Sequence, residues 1–140
     1  MVNQLSVFVE NRSGAIMEVT QILSDAGINL RAMSIADASD FGIARMIVDK
    51  PEAASALLNE NGITSTLSSV IGVEIDDTPG AFHKIITSFY QAEVRIEYTY
   101  AFLSQSTGRA YAIVRVDNTE KALESLKKSG HHLLDSSELA

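Results

Sequence analysis

The chain has 140 residues, 46% of them hydrophobic and 21% charged, with 18 Asp and Glu against 11 Lys and Arg and a formal net charge of −7. This acidic balance offers no basic field to gather phosphates, which argues against nucleic acid and anionic membrane as partners. The absence of cysteine excludes disulfides, thiolate zinc sites, iron–sulfur clusters and cysteine nucleophiles together.

The N-terminus, Met1-Val2-Asn3-Gln4, lacks the cationic start and apolar stretch of a secretion signal. No apolar run approaches the ~20 residues of a membrane span, so a cytoplasmic protein is expected. The first element is a strand from Leu5 to Glu10, in which Leu5, Val7 and Val9 face one way and Phe8 the other. A helix opens at the Gly14 turn, with an apolar stripe of Ala15, Ile16, Val19, Leu23 and Ala26. A second strand follows, and a turn at Ser39-Asp40 returns the chain into a third strand from Ile43 to Val48. A second helix, about Pro51 to Asn61, ends at Gly62, the usual position of a C-terminal glycine, and a short strand closes the unit. Ser65 to Ser69 is the only candidate linker.

The second half repeats this order. A strand from Ile71 to Asp76 leads to a helix for which Thr78 is a candidate N-cap and Pro79 suits the first helical position. Strict alternation marks the next strand at Val94, Ile96, Tyr98, Tyr100 and Phe102. A turn at Ser106-Thr107-Gly108, a strand from Ala110 to Val116, a helix from Thr119 to Ser129 and Gly130 complete the unit before a last short strand. The correspondence is residue by residue: at an offset of 66, Gly14, Ala15, Ile16, Val19, Leu23 and Ala26 fall on Gly80, Ala81, Phe82, Ile85, Phe89 and Ala92. Past the third strand the offset becomes 68, and Glu52, Ala54, Leu58 and Gly62 fall on Glu120, Ala122, Leu126 and Gly130. The fold class expected is therefore α+β: two tandem ferredoxin-like βαββαβ units, residues 1–67 and 68–140, each an antiparallel sheet with its helices on one face.

The run Val7 to Gly14, the amphipathic helix and Gly27-Ile28-Asn29-Leu30 resemble the ACT domain, a regulatory amino-acid-binding module of biosynthetic enzymes. The second half resembles it through Asp77-Thr78-Pro79-Gly80-Ala81-Phe82 and the run after Glu93, so the resemblance covers essentially the whole chain. In serine-binding members the ligand sits between paired domains, held by an Asn of the first loop and an Asn at the start of the second strand. The resemblance implies Asn11 and Asn29 in those roles, with Arg12, Ser13, Gly14, Ala15, Ile16, Ile28 and Leu30 around the ligand. An amide side chain offers both donors and acceptors to an amino-acid zwitterion, and the helix N-terminus at Gly14 favours its carboxylate. Val9 replaces the histidine of that subgroup and Ser13 its usual proline. A possible second site comprises Asp77, Thr78, Pro79, Gly80, Ala81, Phe82 and Arg95; there Asp77 and Arg95 take the places of the two asparagines and are also candidates for an ion pair.

His131-His132 are neighbours on a strand and point to opposite faces, so they are expected at the surface and not on one metal ion. Tyr98, Tyr100 and Phe102 are expected in packing, since the chain lacks the basic sheet of an RNA-binding platform. No nucleophile elbow, phosphate-cradling loop or metal-ligand spacing is present, so no enzyme, metal or cofactor is expected. The expected function is that of a sensor, a homodimer that binds a free amino acid or similar small metabolite between paired ACT-like domains and controls amino-acid metabolism. The alternatives are a non-binding tethering subunit of a biosynthetic enzyme, as in the regulatory subunits of acetolactate synthase, and a small enzyme on a ferredoxin-like scaffold.

Overall fold

A computed structural model of the chain describes residues 1–37, 40–104 and 108–139. The turn residues Ser39, Ser106 and Thr107 lie outside the described residues. The elements are β1 (Val2–Glu10), α1 (Ala15–Asp25), β2 (Leu30–Asp37), β3 (Phe41–Val48), α2 (Pro51–Glu60), β4 (Ser65–Ile75), α3 (Ala81–Gln91), β5 (Ile96–Leu103), β6 (Ala110–Val116), α4 (Thr119–Lys128) and a closing 3₁₀ turn, Ser136–Leu139. No helix among the described residues is long and apolar enough to cross a membrane.

The chain divides into two compact units, Asn3–Ser69 with Leu139, and Met1–Val2 with Val70–Glu138. In the first, β3 pairs antiparallel with both β1 and β2, and β4 flanks β1 on its other side. The pleat sends Leu5, Val7 and Val9 of β1 and Ala44, Met46 and Val48 of β3 to one face, where they meet Val19 and Leu23 of α1 and Ala54 and Leu58 of α2. In the second unit β6 pairs antiparallel with both β4 and β5. Ile71, Val73, Ala112, Val114 and Val116 there pack on Ile85 and Phe89 of α3 and Ala122 and Leu126 of α4. Each unit is thus the expected sheet with two helices on one face.

Three local expectations are corrected. Ser65 to Ser69 is no linker but the first part of β4, which runs unbroken to Ile75. Its Ser65 is buried: the Ser65 N–H donates to Asn59 Oδ1 at 2.9 Å and its hydroxyl to the Ser55 carbonyl at 3.2 Å. Thr78 is not the N-cap of α3, nor Pro79 its first residue, because Gly80 is left-handed at φ 85° and the helix can start only at Ala81. The last strand of the second unit shrinks to one antiparallel bridge, Val73 to Leu133. Leu134 crosses the backbone of Gly72 so closely that a Cβ on Gly72 would lie 2.8 Å from the Cβ of Leu134.

Both first helices end the same way. The Ile28 N–H reaches the Leu23 carbonyl at 2.9 Å and the Val94 N–H the Phe89 carbonyl at 2.8 Å, each after a left-handed residue. That residue is Gly27 (φ 69°) in the first unit and Glu93 (φ 59°) in the second. A side chain in this conformation costs about 1–2 kcal/mol, of which glycine's extra freedom in the unfolded chain cancels part. Glu93→Gly is therefore expected to stabilise the protein by about 0.5–1 kcal/mol, seen as a higher midpoint in chemical denaturation. Gly72→Ala should do the reverse, by about 1–3 kcal/mol, because buried Leu134 has no room to give way.

Candidate functional site

In the first unit, β1 ends at Glu10 and the chain turns through residues 11–14 into α1. The Asn11 N–H donates to the Asp40 carbonyl at 3.2 Å and the Ala15 N–H to the Arg12 carbonyl at 3.3 Å. Gly14, at φ 89°, is the residue before the helix, and no side chain caps the first turn. Its positive φ is the reason for glycine here, since a Cβ would meet only the tip of Arg12. Arg12 is committed locally, to Glu10 Oε2 at 3.0 Å and Glu18 Oε2 at 2.8 Å. These bonds, Glu18 first, raise the basicity of the guanidinium, and Arg12 in turn holds the Glu18 carboxyl below its ordinary range.

Asn29 stands at the other end of α1. Its N–H donates to Asp49 Oδ1 at 2.9 Å and its carbonyl accepts from the Asp49 N–H at 3.2 Å, which pins the start of β2 to the end of β3. Ile28, Asn29 and Leu30 line an open cleft of about 400 Å³ with Thr20, Leu23, Ser24 and Gly27. The 11 residues of α1 separate Asn11 from Asn29 by about 16 Å along the helix. One unit therefore cannot hold one small ligand against both asparagines.

The same geometry separates Asp77 from Arg95, at opposite ends of α3. Within the chain the expected surface ion pair between them is corrected: the four ion pairs found among the described residues do not include it. Arg95 is instead pinned through its backbone, with its N–H donating to Asp117 Oδ1 at 2.9 Å and its carbonyl accepting from the Asp117 N–H at 3.1 Å. Asp49 and Asp117 are equivalent at the offset of 68 and hold both strand starts. Sequence reasoning missed them, although their equivalence was there to be read.

A pair of equivalent clefts lies beside the helix N-termini. In the first unit about 160 Å³ is enclosed by Phe8, Glu10, Arg12, Ala15, Glu18 and Val19 with Phe41 and residues 62–64. In the second about 240 Å³ is enclosed by Glu74, Ile75, Asp76, Thr78, Ala81, Lys84, Arg109 and residues 130–132. Of the expected second-site residues only Thr78 and Ala81 line this cleft. Position by position the chemistry changes: Phe8 becomes Glu74, Arg12 becomes Thr78, Glu18 becomes Lys84, and Ile63 and Thr64 become His131 and His132. His132 is exposed as expected, its Nε2 3.1 Å from Glu138 Oε1, whereas His131 is half-buried with a covered Nδ1.

The sequence over residues 1–140 matches the family described as the ACT domain pair. The chain belongs to that family. Among solved structures, protein BT0572 from Bacteroides thetaiotaomicron is 38% identical with a TM-score of 0.90, over 99% of this chain and 94% of that one. The ligand-free regulatory subunit of aspartate kinase from Thermus thermophilus is 19% identical with a TM-score of 0.63, over 91% of each chain. Its counterpart from Thermus flavus is 17% identical with a TM-score of 0.62, over 91% of this chain and 92% of that one. The two subunits share the fold of this ACT domain pair. No curated protein sequence matches the chain.

The Arg12 bridge makes a defined electrostatic prediction for this ACT domain pair. The Glu18 carboxyl, followed by NMR, should titrate below the ordinary glutamate range, and Arg12→Ala should move it back up. A depressed carboxyl stabilises the fold above its unfolded pKa and loses that contribution as pH falls through its folded one. The stability difference between wild type and Arg12→Ala should therefore shrink on acidification below the ordinary glutamate pKa.

Proposed function

We propose that this ACT domain pair is a cytoplasmic regulatory protein, not an enzyme, that binds a free amino acid or a similar small metabolite. The observation that carries this reading is the loop from Asn11 to Ile16, in which left-handed Gly14 opens an uncapped helix beside an amide side chain. Uncapped helix N–H groups and the helix dipole receive a carboxylate, and an amide accepts from an ammonium while it donates to a carboxylate. Arg12 and Ser13 border the ligand on the loop side, Ala15 and Ile16 on the helix side.

The separation of Asn11 from Asn29 by the length of α1 sets how such a ligand is shared. A molecule that touches both must be held by the loop of one ACT unit and by Ile28, Asn29 and Leu30 of another, supplied by a second copy of the chain. Binding then stabilises one arrangement of a homodimer over others, which is how a small molecule acquires regulatory leverage. The output is control of amino-acid metabolism, through assembly or through a biosynthetic enzyme that this arrangement engages.

Thermal unfolding of the purified protein against each common amino acid tests the reading. A ligand confined to the native state raises the midpoint by mass action, by about 2.7 kcal/mol of stabilisation at a hundred times its Kd. One amino acid or one related group is expected to do so, and Asn11→Ala to diminish the shift. No shift with any of them at millimolar concentration would remove amino-acid binding and leave tethering of an enzyme as the better account.

A further inference from the structure

The outer sides of the helices have diverged in opposite directions in the two units. In the first, an open groove of about 380 Å³ between α1 and the end of α2 is lined by Met17, Glu18, Gln21, Ile22, Asn61 and Ile63. Ile22 and Ile63 are partly buried at the margin of the core, whereas Met17 is 65% exposed. At the offsets of 66 and 68 these three apolar residues become His83, Ser88 and His131, so the second unit lacks the apolar lining. The reverse holds on α3. Ile86 and Tyr90, one turn apart, form an exposed apolar ridge where the first unit carries Thr20 and Ser24, and Tyr90 is 82% exposed.

Charge divides the same way. Helices α1 and α2 carry Glu18, Asp25, Glu52 and Glu60 and no Lys or Arg, whereas α3 and α4 carry Lys84, Lys121, Lys127 and Lys128 against Glu120 and Glu124. Two of the exchanges are reversals at equivalent positions, Glu18 to Lys84 and Glu60 to Lys128. Asp25 and Glu60 each end a helix, where a negative charge opposes the helix dipole, and no basic residue stands in either last turn. Asp25 accepts from the neutral Gln21, and neither carboxylate belongs to an ion pair found among the described residues. Such placement weakens both helices slightly, and a cation brought from outside the unit offsets it.

We propose that the groove of the first unit is the docking surface for the α3 ridge of a second copy of the chain. Ile86 and Tyr90 of one copy cover Met17, Ile22 and Ile63 of the other, and Lys84 beside the ridge faces the carboxylates of α1 and α2. An exposed tyrosine is the residue type that anchors the centre of an interface. The occupant is another copy because the chain itself supplies both complementary halves. Like units would set carboxylates on carboxylates or lysines on lysines, so the contact joins unlike units and is heterologous. Helix α3 has 11 residues and is about 16 Å long, so one contact is small beside a stable interface and depends on its charges. The proposal concerns how copies of the chain meet and does not rest on amino-acid binding.

Analytical sedimentation of the full chain at up to about 1 mM tests the contact. Wild type is expected to self-associate, with an apparent Kd that rises roughly tenfold between about 0.05 and about 0.5 M salt. Two double variants separate the halves, each installing residues that the other unit carries at equivalent positions. Met17→His with Glu60→Lys spoils the groove, and Lys84→Glu with Tyr90→Ser spoils the ridge. All four positions are exposed, so neither variant disturbs a core. Each variant alone should lose roughly tenfold or more in self-association. An equimolar mixture should recover it, because the intact groove of one variant meets the intact ridge of the other. Wild type that stays monomeric throughout, variants that associate as wild type does, or a mixture no tighter than its separate components would each overturn the contact. The amino-acid-binding reading is decided separately, by the thermal screen, and stands or falls without this contact.

Discussion

The structure depends on the burial of each first helix across one face of its sheet. Val19 and Leu23 in the first unit, Ile85 and Phe89 in the second, are the helix side of cores whose sheet side is formed by alternate residues of two neighbouring strands. Because these contacts fix the helix axis, they also fix both ends of the helix in space. The turn that precedes the helix and the strand that follows it are held a helix length apart. The residues of the proposed site lie at those two ends: loops with left-handed glycines at one, strand starts pinned by Asp49 and Asp117 at the other.

Duplication left both units with the same backbone devices and freed the side chains around them to differ. Gly14 and Gly80 have nearly the same φ, and α1 and α3 have the same length. Around this common frame the first unit carries an exposed triad in which two carboxylates, Glu10 and Glu18, share one cation, Arg12. The second carries Lys84 against Glu74 and Arg109, with a carboxylate oxygen left unpartnered. Such exchanges cost little in stability because exposed ion pairs contribute little to it. A sheet-and-helix scaffold can therefore keep its fold while the charges around two equivalent clefts diverge. Glu93 shows the same tolerance: the second unit accepts a strained residue where the first has glycine, since the helix end is held by its backbone hydrogen bonds.

The sequence by itself determined the elements and their repetition. Alternation in Leu5, Val7 and Val9 and helical spacing in Val19 and Leu23 are local properties, and the matched glycines at one offset declared two copies of one unit. What it could not decide were matters set by partners distant in the chain. Ser65 to Ser69 is polar and reads as a linker, yet becomes strand because β1 lies alongside it. Thr78 and Pro79 look like a helix start, yet the left-handed Gly80 delays it. Asp77 and Arg95 suggest a pair by charge, and only the length of α3 keeps them apart. The cleft of Glu74, Lys84, Arg109 and His131 draws on four separate segments, so no spacing in the sequence announces it. Periodicity is a property of neighbours along the chain and survives without a structure; a site is a convergence of side chains and exists only once the sheet has brought them together.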